Sequence, residues 1–386
     1  MRIERLELRQ LKLPLVHFFE TSFGRIHTRQ FIVVKVQEGR AYGYGECVAE
    51  ADPYYGAETN ETAWHIIGDF IAPRVLGVDF SHPREVIAAL HAIRGHNMAK
   101  AVVEMAAWDL FARQRGEPLW RTLGGTRDRI ASGVSIGIQN SLEDLVDRVG
   151  RELRAGYRRI KIKIKPGWDV RAIEAIRDRF GPIPLMVDAN AAYSLGDADR
   201  LRVLDGFDLM MIEQPLDHDD ILDHAALQRR LRTPVCLDES IRTAKRAHEA
   251  IAAGACRIVN IKPGRVGGFA ESIRIHDLCA EHGVPVWHGG MLESGIGRAA
   301  NIHLSTLRNF SLPGDVAASE RYFDPDLIEP PVVVAADGTI AVPTAPGLGV
   351  VVREDRLDAA TVRHKAFQEA DHDSSVSAQA SGCRSG

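Results

Sequence analysis

Five charged residues stand at the ends of five short apolar runs at a nearly constant interval. Lys163, Asp188, Glu213, Asp238 and Lys262 follow one another at steps of 25, 25, 25 and 24 residues. Such a step accommodates one strand, one helix and two loops, the repeating unit of an α/β barrel. If each run is a parallel barrel strand, its last residue lies at the carboxyl-terminal face, and three carboxylates and two lysines ring one cavity. The cadence predicts a metal site flanked by two proton carriers.

The strand candidates in this series are residues 133–138, 159–164, 184–187, 209–212, 234–237, 257–261 and 285–287. Most are short, branched and apolar, as parallel strands buried on both faces are. Amphipathic stretches such as 142–155 and 244–253 separate them, and a weaker eighth strand is expected before Pro313. Functional-looking residues at the ends of five successive units favour a barrel over an open doubly wound sheet. Upstream, residues 1 to about 45 read as strands: 2–13 alternates, and 31–36 runs into Gly39 and Gly43. From 58 to about 113 the period becomes helical, with Ala101, Val102, Met105, Ala106 and Leu110 at three-to-four-residue spacing. The expected organisation is an α+β capping domain over 1–130, completed by about 325–365, and a barrel over 131–324. Residues 330–352 carry strand and turn signals and are expected to return to the cap. Residues 370–386, rich in Ser, Asp, Ala and Gly, read as a disordered tail.

At 386 residues the chain can bury a large core and still carry an accessory domain. A formal charge of −4 without a Lys/Arg block leaves no footprint for nucleic acid or anionic membrane, so a small molecule is the expected partner. The five cysteines are scattered and form no CxxC pair, which implies neither a disulfide framework nor a zinc knuckle and fits a reducing cytoplasm. The opening residues lack the apolar core of a signal peptide, and no run approaches the roughly 18 apolar residues of a membrane span.

Asp188, Glu213 and Asp238 each follow an apolar run directly. A lone carboxylate there is usually a helix cap, but three in phase repel one another at low dielectric, and a hard divalent cation is the usual way to keep all three ionised. With no His or Cys in phase, the donor set points to Mg²⁺, with Mn²⁺ as the alternative, rather than zinc. Asn190 and Glu239 lie one or two residues beyond ligand positions; they either support the ligands by hydrogen bonding or cap helices.

Lys161, Lys163 and Lys165 share one side of a strand. An exposed edge strand would explain them, but a barrel strand has no free edge. Buried side by side, Lys161 and Lys163 are expected to disfavour each other's charge, which suits Lys163 as a base. Lys161 would also hold a substrate carboxylate, and Lys165, next to Pro166 and Gly167, reads as surface. Lys262 would face Lys163 across the cavity. Arg265 either tunes Lys262, binds a substrate anion or is surface-exposed. The chemistry that fits is proton abstraction next to a carboxylate, through an ene-diolate.

The motifs Lys161-Ile162-Lys163, Val187-Asp188-Ala189-Asn190, Ile212-Glu213-Gln214-Pro215, Leu237-Asp238-Glu239-Ser240, Asn260-Ile261-Lys262-Pro263-Gly264-Arg265 and Gly289-Gly290-Met291-Leu292-Glu293-Ser294-Gly295 stand in the order of a known family. Over residues 1 to about 365 the chain resembles the muconate-lactonizing subgroup of the enolase superfamily. It is most similar to the o-succinylbenzoate synthase / N-succinylamino acid racemase (N-acylamino acid racemase) family. The resemblance implies an α/β fold, a modified (β/α)7β TIM-like barrel with an α+β capping domain, one Mg²⁺, and Lys163 and Lys262 as acid/base pair on opposite faces of the substrate. A racemase removes a proton with one lysine and returns it with the other. A synthase eliminates water from 2-succinyl-6-hydroxy-2,4-cyclohexadiene-1-carboxylate, Lys163 acting as base and then acid while Lys262 steadies the enediolate. By the same resemblance Phe19, in a cap loop spanning 18–24, and Tyr54, Tyr55, Ser135, Ile138, Met291 and Leu292 are pocket walls, with ordinary packing as the other reading. Glu20 stands where some relatives carry a basic residue, and an acid facing the pocket would oppose a succinyl carboxylate. A homo-oligomer is also expected.

Dipeptide epimerases share the acids and both lysines but carry Asp-x-Asp on the eighth strand, where this chain reads Gly314-Asp315-Val316-Ala317. Muconate cycloisomerase matches the local motifs less well. A non-catalytic binding or structural barrel is the alternative of another class, and it has no need to sustain mutually repelling groups.

Overall fold

Alternating apolar residues near the start of the chain build the capping sheet. In the computed structural model, which describes residues 1–369, β1 (Arg5–Glu20), β2 (Arg25–Glu38) and β3 (Ala41–Cys47) pair antiparallel in that order. The expected tail, 370–386, lies outside the described residues. Leu6, Leu8, Ile32, Val34 and Val36 share one buried cluster with Val102, Val103, Ala106 and Leu110 of helix Asn97–Gln114. Sheet and helix approach so closely that a Cβ on Gly43 or Gly45 would lie 2.1 Å from the carbonyl oxygen of Ala106 or Val102. Only glycine fits there.

The barrel strands follow the cadence: β4 (Val134–Ile136), β5 (Ile160–Lys163), β6 (Leu185–Asp188), β7 (Ile212–Glu213), β8 (Val235–Leu237), β9 (Ile258–Ile261) and β10 (Val286–His288). They form one parallel sheet in chain order. The eighth position is filled on both sides of Pro313: before it, as expected, Phe310 bridges Val286 in parallel and the Ser311 N–H donates to the Val286 carbonyl at 3.2 Å, and the segment continues after it. Gly314 pairs with Ser132, its carbonyl accepts the Gly133 N–H at 2.7 Å, and the Asp315 N–H reaches the His288 carbonyl at 2.8 Å. These contacts link β10 back to the start of β4 and close the ring.

β11 (Thr361–Gln368) pairs antiparallel with β1 and is the strand that joins the capping sheet. The stretch 330–352 makes its strand pairs elsewhere, Thr339–Ala341 with Arg129–Ala131 and Val351–Val352 with Ile328–Glu329, but it does reach the cap: the Gly347 N–H donates to the Glu117 carbonyl at 2.9 Å and the Leu348 N–H to Asp109 Oδ1 at 2.7 Å.

Side-chain alternation then sets the barrel interior in layers. Met186, Met211, Cys236, Ile258 and Trp287 make an apolar cluster of their own, separate from the core between strands and helices. Two residues further along, in the same phase, stand Asp188, Glu213, Asp238 and Asn260. Among the described residues no helix is long and apolar enough to cross a membrane.

Candidate active site

The polar layer above that floor gathers the predicted residues. Lys161 and Lys163 come from β5, Asp188 from β6 and Glu213 from β7, while Asp238 follows β8 and Lys262 follows β9. All six are buried, none more than 7% exposed. Lys163 Nζ donates to Asp188 Oδ2 and to Asn190 Oδ1, both at 2.6 Å. Lys161 Nζ lies 2.9 Å from Glu213 Oε2, 3.2 Å from Asp188 Oδ2 and 2.7 Å from Asp315 Oδ2. Lys262 Nζ lies 2.7 Å from Asp238 Oδ2 and donates to the Tyr55 hydroxyl at 3.1 Å, and that hydroxyl donates to Asp238 Oδ1 at 3.1 Å. Arg265 also pairs with Asp238, and its Nε donates to the Ile241 carbonyl at 2.9 Å. It is a buried partner of the site, not a surface residue.

Burial opposes charge throughout this layer, and proximity decides which groups keep it. For Lys161 burial is outweighed by the carboxylates of Asp315, Glu213 and Asp188, so its pKa rises. The expected mutual depression with Lys163 does not govern Lys161; the acids do. Lys262 is raised in the same way, against burial, by Tyr55, Glu213, Glu239 and Asp188. Burial likewise pushes Asp188 up, but the ammonium groups of Lys163 and Lys161 hold it below the ordinary range. Glu213 is pushed up by burial and then by the charge of Asp188.

Among the described residues no three acidic, His or Cys side chains converge as a ready metal-ligand group. As placed, Asp188 and Glu213 share Lys161, and Asp238 faces Lys262 and Arg265. The donor chemistry nonetheless fits a hard divalent cation. The three are carboxylates at the ends of adjacent strands, Asp188 and Glu213 crowd one another, and the buried Glu239 Oε2 beside them has no partner. Glu239 Oε1 accepts from Asn190 Nδ2 at 2.9 Å, which ties both supporting residues into the cluster.

A cavity of about 160 Å³ opens over this layer between cap and barrel. Lys161, Lys163, Asn190 and Lys262 line it, as do the predicted walls Phe19, Tyr54, Tyr55, Ser135, Met291 and Leu292. Ile138 does not; it is buried outside the lining, and its N–H donates to the Glu20 carbonyl at 2.9 Å. The Glu20 carboxylate also stays out of the lining, held by Arg25 Nε at 2.6 Å and near Lys165 Nζ at 3.5 Å. Arg25 itself lines the cavity, so the wall beside Glu20 is basic. Ser22, at the tip of the β1–β2 hairpin, donates to the Asn190 carbonyl at 3.1 Å. Arg25, Arg29, Glu50, Asp52, Asp315 and Tyr322 are lining residues that the motif reading missed. Arg25 and Arg29 lie on β2 and Glu50 and Asp52 on the chain after β3, none of them within a motif; Asp315 lies on the eighth-strand segment, noted in the sequence only for lacking a second acid.

Comparison with known proteins extends these observations. Residues 6–124 match the family model of the mandelate racemase / muconate lactonizing enzyme N-terminal domain, and residues 144–356 match the enolase C-terminal domain-like model. An o-succinylbenzoate synthase of Geobacillus kaustophilus is 52% identical over 368 residues, covering 95% of this chain and 98% of that one. An N-succinylamino acid racemase of an Amycolatopsis species is 47% identical over 362 residues, covering 94% and 98%. The crystal structure of an enolase-superfamily member from Listeria innocua superposes with a TM-score of 0.92 at 38% identity, covering 96% of this chain and 100% of that one.

Proposed function

The chain belongs to the mandelate racemase / muconate lactonizing enzyme family of the enolase superfamily, and on that premise we propose that it is an enzyme abstracting the proton α to a carboxylate, as an o-succinylbenzoate synthase, an N-succinylamino acid racemase or both. The observation that carries this reading is that Lys163 and Lys262, from strands four apart in the barrel order, line one buried cavity.

Asp188, Glu213 and Asp238 would hold one divalent cation, Mg²⁺ or alternatively Mn²⁺. When bound, it supplies positive charge that stabilises the negative charge developing on the substrate carboxylate. Lys161, kept ionised by its acidic neighbours, gives that carboxylate a second cationic partner. Lys163, oriented by Asn190, takes the α-proton. In racemisation an ionised Lys262 returns a proton to the opposite face. In dehydration Lys163 passes its proton to the departing hydroxide as the C–O bond breaks, releasing water, while Lys262 steadies the enediolate charge. Tyr55 and Asp238 orient Lys262, and Arg265 braces Asp238. Phe19, Tyr55, Ser135, Met291 and Leu292 form walls that exclude water around the reacting carbon. Cys47, Cys236, Cys256 and Cys279 are free and buried, which is consistent with cytoplasmic residence.

The test is a paired assay of the purified protein with Mg²⁺. N-succinyl amino acids in D₂O are followed by NMR and polarimetry, and 2-succinyl-6-hydroxy-2,4-cyclohexadiene-1-carboxylate is followed separately for o-succinylbenzoate. Deuterium at the α-carbon with loss of optical rotation establishes the racemase, and product in the second assay establishes the synthase. Inactivity in both refutes the proposal.

A further inference from the structure

Strand β5 directs three cations into the barrel. Arg159, just before the strand, is in phase with Lys161 and Lys163 and is only 1% exposed. Its Nη1 lies 2.7 Å from Asp315 Oδ1, and its Nη2 donates to the Pro313 carbonyl at 3.0 Å. The other Asp315 oxygen, Oδ2, accepts from the Ser135 hydroxyl at 2.8 Å and lies 2.7 Å from Lys161 Nζ. Arg159 and Lys161 both stand over Trp287, 4.9 and 4.8 Å from its ring centre. One buried carboxylate is thus gripped by an arginine and a serine that take no part in proton transfer, and it presents an oxygen to a lysine that faces the substrate cavity.

Lysine is a compact charge on a four-carbon stem with little orientation of its own. Of the three acids around Lys161, Asp188 and Glu213 are the two assigned above to the divalent cation. Asp315 is the acid left to hold the ammonium group in place. We propose that Asp315 is the positioning residue for Lys161: Arg159 and Ser135 fix its carboxylate, and it fixes the lysine against the carboxylate of the substrate. The inference rests on the proposed reaction, in which Lys161 meets more negative charge in the enediolate than in the bound substrate.

The test compares wild type with Asp315→Asn and Arg159→Lys. Turnover is normalised to Mg²⁺-binding sites counted by calorimetry, and thermal melting is recorded alongside. Loss of a well-placed electrostatic donor is expected to lower kcat/KM about 30- to 300-fold in Asp315→Asn, at least about tenfold of it in kcat. Arg159→Lys, which loosens the grip on Asp315, is expected to lose about 5- to 20-fold. A merely structural role would lower the melting temperature and leave turnover per Mg²⁺ site unchanged. Folded Asp315→Asn with kcat within threefold of wild type overturns the proposal; should that variant not fold, Arg159→Lys with kcat within twofold does so. A second arm is independent of turnover: in a Lys163→Ala background, Asp315→Asn is expected to weaken N-succinyl amino acid binding about tenfold, and unchanged affinity counts against positioning. Wild-type inactivity refutes the reaction instead, and the binding arm still decides the role of Asp315.

Discussion

Glu104 Oε2, from the cap helix Asn97–Gln114, accepts the backbone N–H of Phe269 at 2.8 Å, where helix Phe269–Glu281 of the barrel begins. Its other oxygen accepts the Ala270 N–H at 2.9 Å and the Trp108 indole N–H at 2.7 Å. Glu46, from β3, does the same for the helix Gly295–Leu304, accepting the Ser294 and Gly297 N–H groups, each at 3.0 Å. Two buried acids of the cap therefore complete two barrel helices at their positive ends.

A pH dependence of stability follows. Burial, opposed by these donors, pushes Glu104 up to about 7 and Glu46 up to about 8 from an ordinary 4.5. Because the folded-state values are raised, the folded chain holds these protons more tightly than the unfolded one. That contribution is complete below about pH 4.5 and is lost as pH rises through 7 and 8. The melting temperature is expected to fall between pH 5 and pH 8, and less steeply in Glu104→Gln. Equal slopes for variant and wild type would contradict the assignment.

In the proposed reaction the two lysines serve opposite faces of the substrate. Lys163→Ala and Lys262→Ala are each expected to lower racemisation by about 10³-fold or more, while each variant still exchanges the α-proton of a single enantiomer with D₂O. NMR on separate D and L substrates checks this. Exchange of both enantiomers by either variant would argue for one lysine working alone.

Removing the divalent ion with a chelator should abolish turnover, and added Mg²⁺ should restore it. Asp188→Asn, Glu213→Gln and Asp238→Asn are each expected to weaken Mg²⁺ binding at least about 100-fold by calorimetry. A variant that binds Mg²⁺ like wild type removes its residue from the ligand set.

Gly45→Ala is expected to cost about 3 kcal/mol or more, because the new methyl group would meet the Val102 carbonyl, a backbone atom that a rotamer change cannot move. Urea unfolding measures the loss, and a change below about 1 kcal/mol would mean that sheet and helix separate easily.

Much of the barrel was legible because a parallel βα unit has a nearly fixed length and a strand-end position has a fixed meaning. The cadence therefore located Lys163, Asp188, Glu213, Asp238 and Lys262 together. What escaped was tertiary in origin. Arg159 shares the phase of Lys161 and Lys163, whereas Lys165 lies beyond the end of β5 with its side chain 40% exposed beside Glu20. Asp315 becomes an interior residue through the backbone contacts of Gly314 and Asp315 that close the barrel. Ile138 has the composition of a pocket wall, but its backbone is spent on tethering Glu20. The cap's contribution, from Arg25 to Asp52, depends on how a hairpin and a loop land on the barrel, which no local period encodes.

The apolar cluster of Met186, Met211, Cys236, Ile258 and Trp287 closes the barrel beneath its reactive layer. Among the described residues the chamber consequently has a closed floor, and the seam between cap and barrel is a door to it. Substrate and product that share this door use it in turn. Product lingering behind the cap is expected to inhibit competitively, and release of the rim by the hairpin carrying Phe19 and Ser22 is expected to limit throughput.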